Sequence, residues 1–329
     1  MAGSAPKLDD WAGRPVAVLA EASFTPTDGK TAVGVLRYRA RDVAAVIDST
    51  RAGRTAQACV GAGGDVPVVA DVAAAAARGA RALLIGVAPQ GGELPPAWRA
   101  MVVDALERGW DVLSGLHQWL AEDPQFAVAA AGGGGRIHDV RRPPAGHPIA
   151  AMRAAELDAR VALTVGSDCN VGKMTASLEL VRALRERGAR AAFVATGQTG
   201  ILIAGRGVAV DAVPADFIAG FAEQLVLEAA RDADVVVVEG QGSLTHPGYS
   251  GVTLGLMHGA CPAALVLCHA VARQRLRVAG GPEAGIPIPP LPELVALYER
   301  AAAWVRPARV AAVALNTLGL DEADARAAC

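Results

Sequence analysis

Val161-Ala162-Leu163-Thr164-Val165 runs into Gly166-Ser167-Asp168-Cys169-Asn170-Val171-Gly172-Lys173-Met174-Thr175, and Ala176-Ser177-Leu178-Glu179-Leu180-Val181-Arg182-Ala183-Leu184 follows. An apolar run of strand length, a glycine-bounded loop and an amphipathic helix form the context of a phosphate-binding loop. The glycines let backbone amides close around an anion, the helix start adds the positive end of its dipole, and Lys173 brings a point charge. One position departs from the usual pattern. The residue after the lysine is ordinarily Ser or Thr, whose hydroxyl binds Mg²⁺, but here it is Met174, with the hydroxyl one place late at Thr175. A thioether is a poor ligand for a hard cation. The loop therefore points to phosphate binding more firmly than to metal-assisted nucleotide hydrolysis.

Outward from this loop, short apolar runs recur on both sides with helix-like segments between them. Val161 to Val165, Ala191 to Ala195, Val235 to Val238, Ala264 to Leu267 and Val310 to Leu315 read as buried strands in the second half. The first half repeats the rhythm at Val16 to Leu19, Ala44 to Ile47, Val66 to Val69, Ala82 to Gly86 and Val112 to Gly115. Such alternation predicts βαβ units and parallel sheets. The glycine run Gly132 to Gly135, with Pro143-Pro144 and His147-Pro148 after it, reads as the connection between domains. The expected α/β architecture is an N-terminal Rossmann-like domain over residues 1–149 and a C-terminal P-loop NTPase-like domain with a mostly parallel sheet over residues 150–329.

With 329 residues, 52% of them apolar, and a net charge of −2, the composition is globular and lacks the basic excess of a polyanion-binding protein. Nucleic acid is not an expected partner. Five scattered cysteines without CxxC spacing suggest neither a disulfide framework nor a zinc site, and a reducing cytoplasm fits best. No apolar stretch reaches the roughly 18 residues of a membrane span, and the N-terminus lacks a signal-peptide pattern.

Several residues could carry chemistry beside the loop. Glu239 follows the strand Val235 to Val238 and lies at the edge where open α/β sheets bind ligands; it could hold a hydrated cation, act as a general base or cap a turn. His246, in the loop that also contains Gln241, Ser243 and Tyr249, could orient an acyl group or shuttle a proton. Asp168 could bond helix-start amides or position a reacting group. Cys169 could be an acyl-carrying thiolate, although a small loop residue is the simpler reading. Ala195 to Gly200, including Gln198, offers amides and a carboxamide to the same edge, and Asn316 stands where a purine edge could be read. In the first half, Lys30, Arg37, Arg39, Arg41, Arg51 and Arg54 concentrate positive charge that could pair with carboxylates or phosphate.

These residues resemble the DUF1611 family of P-loop proteins along nearly the whole chain. The matching stretches are Lys30-Thr31-Ala32 with Arg37-Tyr38, Ile47-Asp48-Ser49, Gly86-Val87-Ala88-Pro89-Gln90-Gly91-Gly92, Ser114-Gly115-Leu116-His117 and Asp139-Val140-Arg141. Beyond the loop they continue through Ala195 to Gly200, Glu239 to Ser250, Val266-Leu267-Cys268-His269 and Ala314-Leu315-Asn316-Thr317. Met174 belongs to that pattern. The resemblance implies a C-terminal domain akin to dethiobiotin synthetase and an amide-forming N-acyltransferase activity, since one member of the family is a D-glutamate N-acetyltransferase using acetyl-CoA. On that reading the CoA phosphates lie on Gly166, Ser167, Asn170, Val171, Gly172, Lys173, Met174 and Thr175, with Gln198 and Asn316 completing the cofactor site. Glu239, His246 and Asp168 are then the catalytic candidates, and Lys30, Arg37, Arg54, Gln241 and Ser243 the candidates for binding an amino-acid substrate. No resident metal is expected, and a homo-oligomer is. The alternative is an ATP- and Mg-dependent amide ligase that activates a carboxylate as an acyl phosphate.

Overall fold

The computed structural model describes residues 14–26, 28–89, 91–277 and 285–329. Gln90, within one of the matching stretches, lies outside the described residues. The chain divides into two units, one running through Arg142 and including Ile201–Arg206, the other comprising Pro143–Gly200 and Gly207–Cys329.

In the N-terminal unit, β1 (Val16–Leu19), β2 (Val43–Ile47), β3 (Val68–Val69), β4 (Ala82–Ile85), β5 (Asp111–Ser114) and β6 (Ile137–Asp139) pair in parallel in the order β3-β2-β1-β4-β5-β6. This is the doubly wound dinucleotide-fold order. Every residue of β1 and β4 is buried, which is why these strands read as continuous apolar runs rather than alternating ones. The helices are α1 (Lys30–Arg39), α2 (Ala56–Val60), α3 (Val72–Ala77), α4 (Arg99–Glu107) and α5 (Pro124–Gly133). Side chains of Thr55, Asp71 and Asp123 cap α2, α3 and α5, supplying acceptors to first-turn amides that have no partner within the helix.

The glycine run is not a linker. Gly132 and Gly133 end α5, and Gly134 (φ +83°) terminates it in the left-handed region. A Cβ at Gly133 or Gly135 would lie 1.9 Å from the Leu106 carbonyl oxygen or 2.1 Å from that of Trp110. These glycines permit close packing against the end of α4 and the residues leading into β5.

In the C-terminal unit, β7 (Arg160–Gly166), β8 (Ala191–Val194), β9 (Val235–Val238), β10 (Ala264–Ala270) and β11 (Arg309–Asn316) form a second parallel sheet in the order β11-β10-β7-β9-β8. The helices are α6 (Lys173–Glu186), α8 (Ala215–Ala229), α9 (Ser250–Ala260), α10 (Leu291–Ala302) and α11 (Glu322–Ala328), together with the start of α7 (Gln198–Ala204), whose residues from Ile201 onward are grouped with the N-terminal unit. Buried residues of β7, β9 and β10 pack with Ile218, Phe221, Val226, Leu256, Leu294 and Tyr298 in one core. Strand order reverses on either side of β7, so the crevice outside its carboxyl end is a topological switch point. The loop after β7 occupies that position, flanked by the ends of β9 and β10. Among the described residues no helix is long and apolar enough to cross a membrane.

Candidate active site on the C-terminal sheet

The loop from β7 to α6 is built by backbone conformations that few residues adopt. Asn170 (φ +55°) and Gly172 (φ +112°) turn the chain through the left-handed region, and α6 begins at Lys173 with no side-chain cap. Its first-turn amides and dipole are left for an anion. Gly166 is required by crowding, because a Cβ there would lie 2.9 Å from both Lys173 Nζ and Val171 Cγ2. Lys173 is buried and donates from Nζ to the Asp168 carbonyl at 2.8 Å. Desolvation lowers its pKa, against the pull of nearby Cys169, Cys268, Asp168 and Glu239. Met174 and Thr175, at the start of α6, are half-buried.

Glu239 follows β9 directly and is almost wholly buried. Its Oε2 accepts from the amides of Thr196 (3.0 Å) and Gly197 (3.2 Å), and its own carbonyl accepts from Thr196 Oγ1 at 2.6 Å. Burial pushes the carboxyl up to about 7, opposed by the two amides and the Lys173 charge. The sheet therefore places beside the phosphate loop a carboxyl poised between acid and base near neutrality. Gln241 Nε2 reaches Thr196 Oγ1 at 3.3 Å, and the Gly240 amide donates to Thr164 Oγ1 at 2.9 Å. Gln198, which begins α7, is half-buried on the same side of β8.

Asp168 is committed to its surroundings. Oδ1 accepts from the Cys169 amide at 2.7 Å, while Oδ2 accepts from Arg273 Nη1 at 3.0 Å and from the Arg277 amide at 2.9 Å. Arg273 also donates to the Cys169 carbonyl at 2.6 Å. His246 is committed as well: the Gly248 amide donates to Nδ1 at 3.1 Å, and Nε2 lies 2.7 Å from the Arg277 carbonyl. An amide only donates and a carbonyl only accepts, so the ring proton sits on Nε2. Asp168, Cys169 and His246 bring one ligand atom each within 4.8 Å of one another. As a metal donor set they fit poorly, since the carboxylate and both ring nitrogens already serve protein partners and Arg273 supplies the countercharge. Burial also pushes the Cys169 thiol up, away from the thiolate that an acyl carrier needs.

Three residues with no local sequence signal complete the site. His269, at the end of β10, lies with Nδ1 2.9 Å from Ser167 Oγ. Tyr298 of α10 donates to the Gly166 carbonyl at 2.7 Å and accepts from the Leu244 amide at 3.1 Å, tying the phosphate loop to the loop after β9. Arg273 neutralises Asp168. The stretch Cys268-His269 was visible as a family motif, but the contacts of all three arise from strand order rather than from neighbouring residues.

The remaining sequence candidates fall as follows. Ser243 is buried and paired with Thr245 Oγ1 at 3.1 Å. Asn316 ends β11, with Oδ1 accepting from the Leu318 amide at 3.1 Å. Lys30 opens α1 and Arg37 lies exposed on it, while the exposed Arg54 donates to the Ala58 carbonyl at 3.0 Å. These three belong to the N-terminal unit.

Residues 148–329 match the P-loop domain of unknown function DUF1611, and residues 49–143 match its Rossmann-like N-terminal companion. The chain belongs to the DUF1611 family. This DUF1611 protein is 42% identical over 255 residues to a D-glutamate N-acetyltransferase from Tritonibacter scottomollicae, covering 76% of this chain and 74% of the relative. A protein of the same name from a Pseudoalteromonas species is 42% identical over 203 residues, or 62% of this chain and 60% of that relative. The crystal structure of a DUF1611 protein from Anabaena variabilis superposes with a TM-score of 0.89 at 41% identity, covering 95% of this chain and 90% of the other.

Proposed function

We propose that this DUF1611 protein is an N-acetyltransferase that moves an acetyl group from acetyl-CoA to the amino group of an amino acid, with D-glutamate the first candidate. The observation that carries the reading is Glu239, a buried carboxyl held near pH 7 beside a phosphate loop whose metal-binding hydroxyl is replaced by Met174. Acyl transfer from a thioester needs a base for the incoming ammonium and a cradle for diphosphate, but no cation. The uncapped start of α6 and the buried Lys173 fit a diphosphate. The name shared by the two relatives supports the same chemistry.

In this mechanism Glu239 takes a proton from the substrate ammonium. The freed amine attacks the thioester carbonyl and the carbon–nitrogen bond forms; as the carbon–sulfur bond breaks, the second amine proton passes to the departing sulfur, so that the amide is neutral and CoA leaves as its thiol. His246 and Asp168 act by position, the first through the Arg277 carbonyl and the second by holding Arg273 against the loop. Ligation through an acyl phosphate is the weaker reading, because Asp168 would have to give up Arg273 and two amides to hold Mg²⁺.

Calorimetric titration with acetyl-CoA and with MgATP, repeated on Lys173→Ala, tests the proposal. Metal-independent CoA binding that is lost in the variant supports it; MgATP binding without a CoA signal overturns it. Product analysis with each enantiomer of glutamate then tests the substrate, which is wrong if neither isomer is acetylated.

A further inference from the structure

The segment that leaves β10 does not stay on its own side of the sheet. Strands β10 and β9 flank β7 on opposite sides, and the segment passes over the phosphate loop from one to the other. His269 meets Ser167 at the start of this path, Arg273 meets Asp168 next, and Arg277 reaches the loop after β9. Arg277 is held there at both ends of its backbone: its amide donates to Asp168 Oδ2 at 2.9 Å, and its carbonyl accepts from His246 Nε2 at 2.7 Å. The preceding residue, Leu276, is wholly buried and donates from its amide to the Ile286 carbonyl at 3.0 Å. An antiparallel bridge between Arg275 and Pro287 completes the support.

The three arginines of this segment differ in what their side chains meet. Arg273 is matched with Asp168, and Arg275 Nη1 donates to the Gly285 carbonyl at 2.8 Å. The Arg277 guanidinium is exposed and meets no partner among the described residues. The two carboxyl groups of the site are engaged elsewhere, Asp168 with Arg273 and two amides, Glu239 with the amides of Thr196 and Gly197. A side chain whose backbone is fixed at two points while its charged head stays open is a preorganised binding group.

We infer that Arg277 binds a carboxylate of the amino-acid acceptor and so helps to set substrate specificity. The inference rests on the acetyltransferase reading for the presence of such an acceptor, and on position for the residue. An α-amino acid carries its ammonium and a carboxylate on one carbon. The group that holds this carboxylate must therefore stand on the same side of the phosphate loop as the base that takes the proton. Glu239 follows β9, and Arg277 is fixed to the loop after β9. The planar fork of a guanidinium pairs with both oxygens of a carboxylate at once. The cofactor diphosphate has its own partners in Lys173 and the start of α6.

Calorimetric titration of the full chain with D-glutamate, L-glutamate and acetyl-CoA, on wild type, Arg277→Gln and Arg277→Lys, tests the assignment. Arg277→Gln should bind the preferred glutamate isomer about tenfold more weakly or worse, with Arg277→Lys between it and the wild type. Acetyl-CoA affinity should be unchanged. The side chain is exposed and the backbone bonds survive substitution, so both variants should keep the wild-type melting temperature. Arg275→Gln is the neighbouring control and should bind glutamate as the wild type does. Undiminished glutamate binding by Arg277→Gln, or binding of neither isomer by the wild type, overturns the inference while acetyl-CoA binding stands by itself. Loss of acetyl-CoA affinity in step with glutamate assigns the guanidinium to a cofactor phosphate and overturns it equally. A wild type that binds MgATP but not acetyl-CoA removes the acetyltransferase reading and takes the inference with it.

Discussion

Arg273 Nη1 lies 3.0 Å from Asp168 Oδ2, joining a carboxylate with no solvent exposure to a guanidinium whose side chain is 16% exposed. The pair links the end of β10 to the phosphate loop across 105 residues of sequence. Removing one member of a buried pair leaves the other uncompensated, a loss of about 3 kcal/mol or more. Arg273→Ala should therefore lower stability by about that amount in chemical denaturation. It should also weaken acetyl-CoA binding, because the uncompensated Asp168 then repels phosphate.

On the proposed acetyltransferase reading, Glu239 should make stability and activity depend on pH in opposite directions. Its folded pKa, about 7, is raised above the ordinary carboxyl value of 4.5, so the unfolded chain releases this proton first. Stability from this group is complete below about 4.5, falls as pH rises toward 7, and is flat beyond. Glu239→Gln keeps an acceptor for the Thr196 and Gly197 amides and removes the titration. Its melting temperature relative to wild type should be more favourable at pH 8 than at pH 5. Acetyl transfer by the wild type should rise with pH to a midpoint near 7, and the variant should lose about 10²- to 10⁴-fold in rate. A variant of unchanged rate would remove Glu239 from the mechanism.

Met174→Thr restores the hydroxyl that a metal-dependent loop carries after its lysine. Titration with ATP should show a gain in affinity on adding Mg²⁺ that the wild type lacks, while acetyl-CoA binding changes little. Equal Mg²⁺ dependence in both proteins would mean that position 174 does not set metal use.

Gly240→Ala tests how closely β9 and β7 pack beside the site. The added Cβ would lie 1.7 Å from the Thr164 carbonyl oxygen, in a backbone already held by the bond from Gly240 N to Thr164 Oγ1. Neither strand can retreat without breaking the ladder, so the variant should unfold at a markedly lower denaturant concentration or fail to fold. Gly251→Ala, where nothing lies within 4 Å, is the matched control and should be nearly silent.

The phosphate loop was legible because its chemistry is local: strand, glycines, lysine and helix follow one another within about two dozen residues. The alternation of apolar runs likewise announced two parallel sheets, since buried strands and amphipathic helices differ in period. Glu239 was legible as the residue after a run of valines. The partners of these groups were not, for a physical reason. Arg273 and His269 reach the loop only because β10 lies beside β7, and no residue near them in sequence specifies that pairing. Gly132 to Gly135 misled in the opposite sense: glycine allows flexibility and close approach alike, and only the Leu106 and Trp110 carbonyls pressed against it distinguish the two.

Arg277 offers its amide to Asp168 and its carbonyl to His246. A single residue thus spans the phosphate loop and the loop after β9, and a rotation of its backbone must be felt at both ends. Filling the loop with an anion shifts the charge that Asp168 balances, and the disturbance has a direct route to the imidazole. His246 should then act as a built-in reporter of occupancy, its ring resonances registering the arrival of a ligand through the Arg277 backbone.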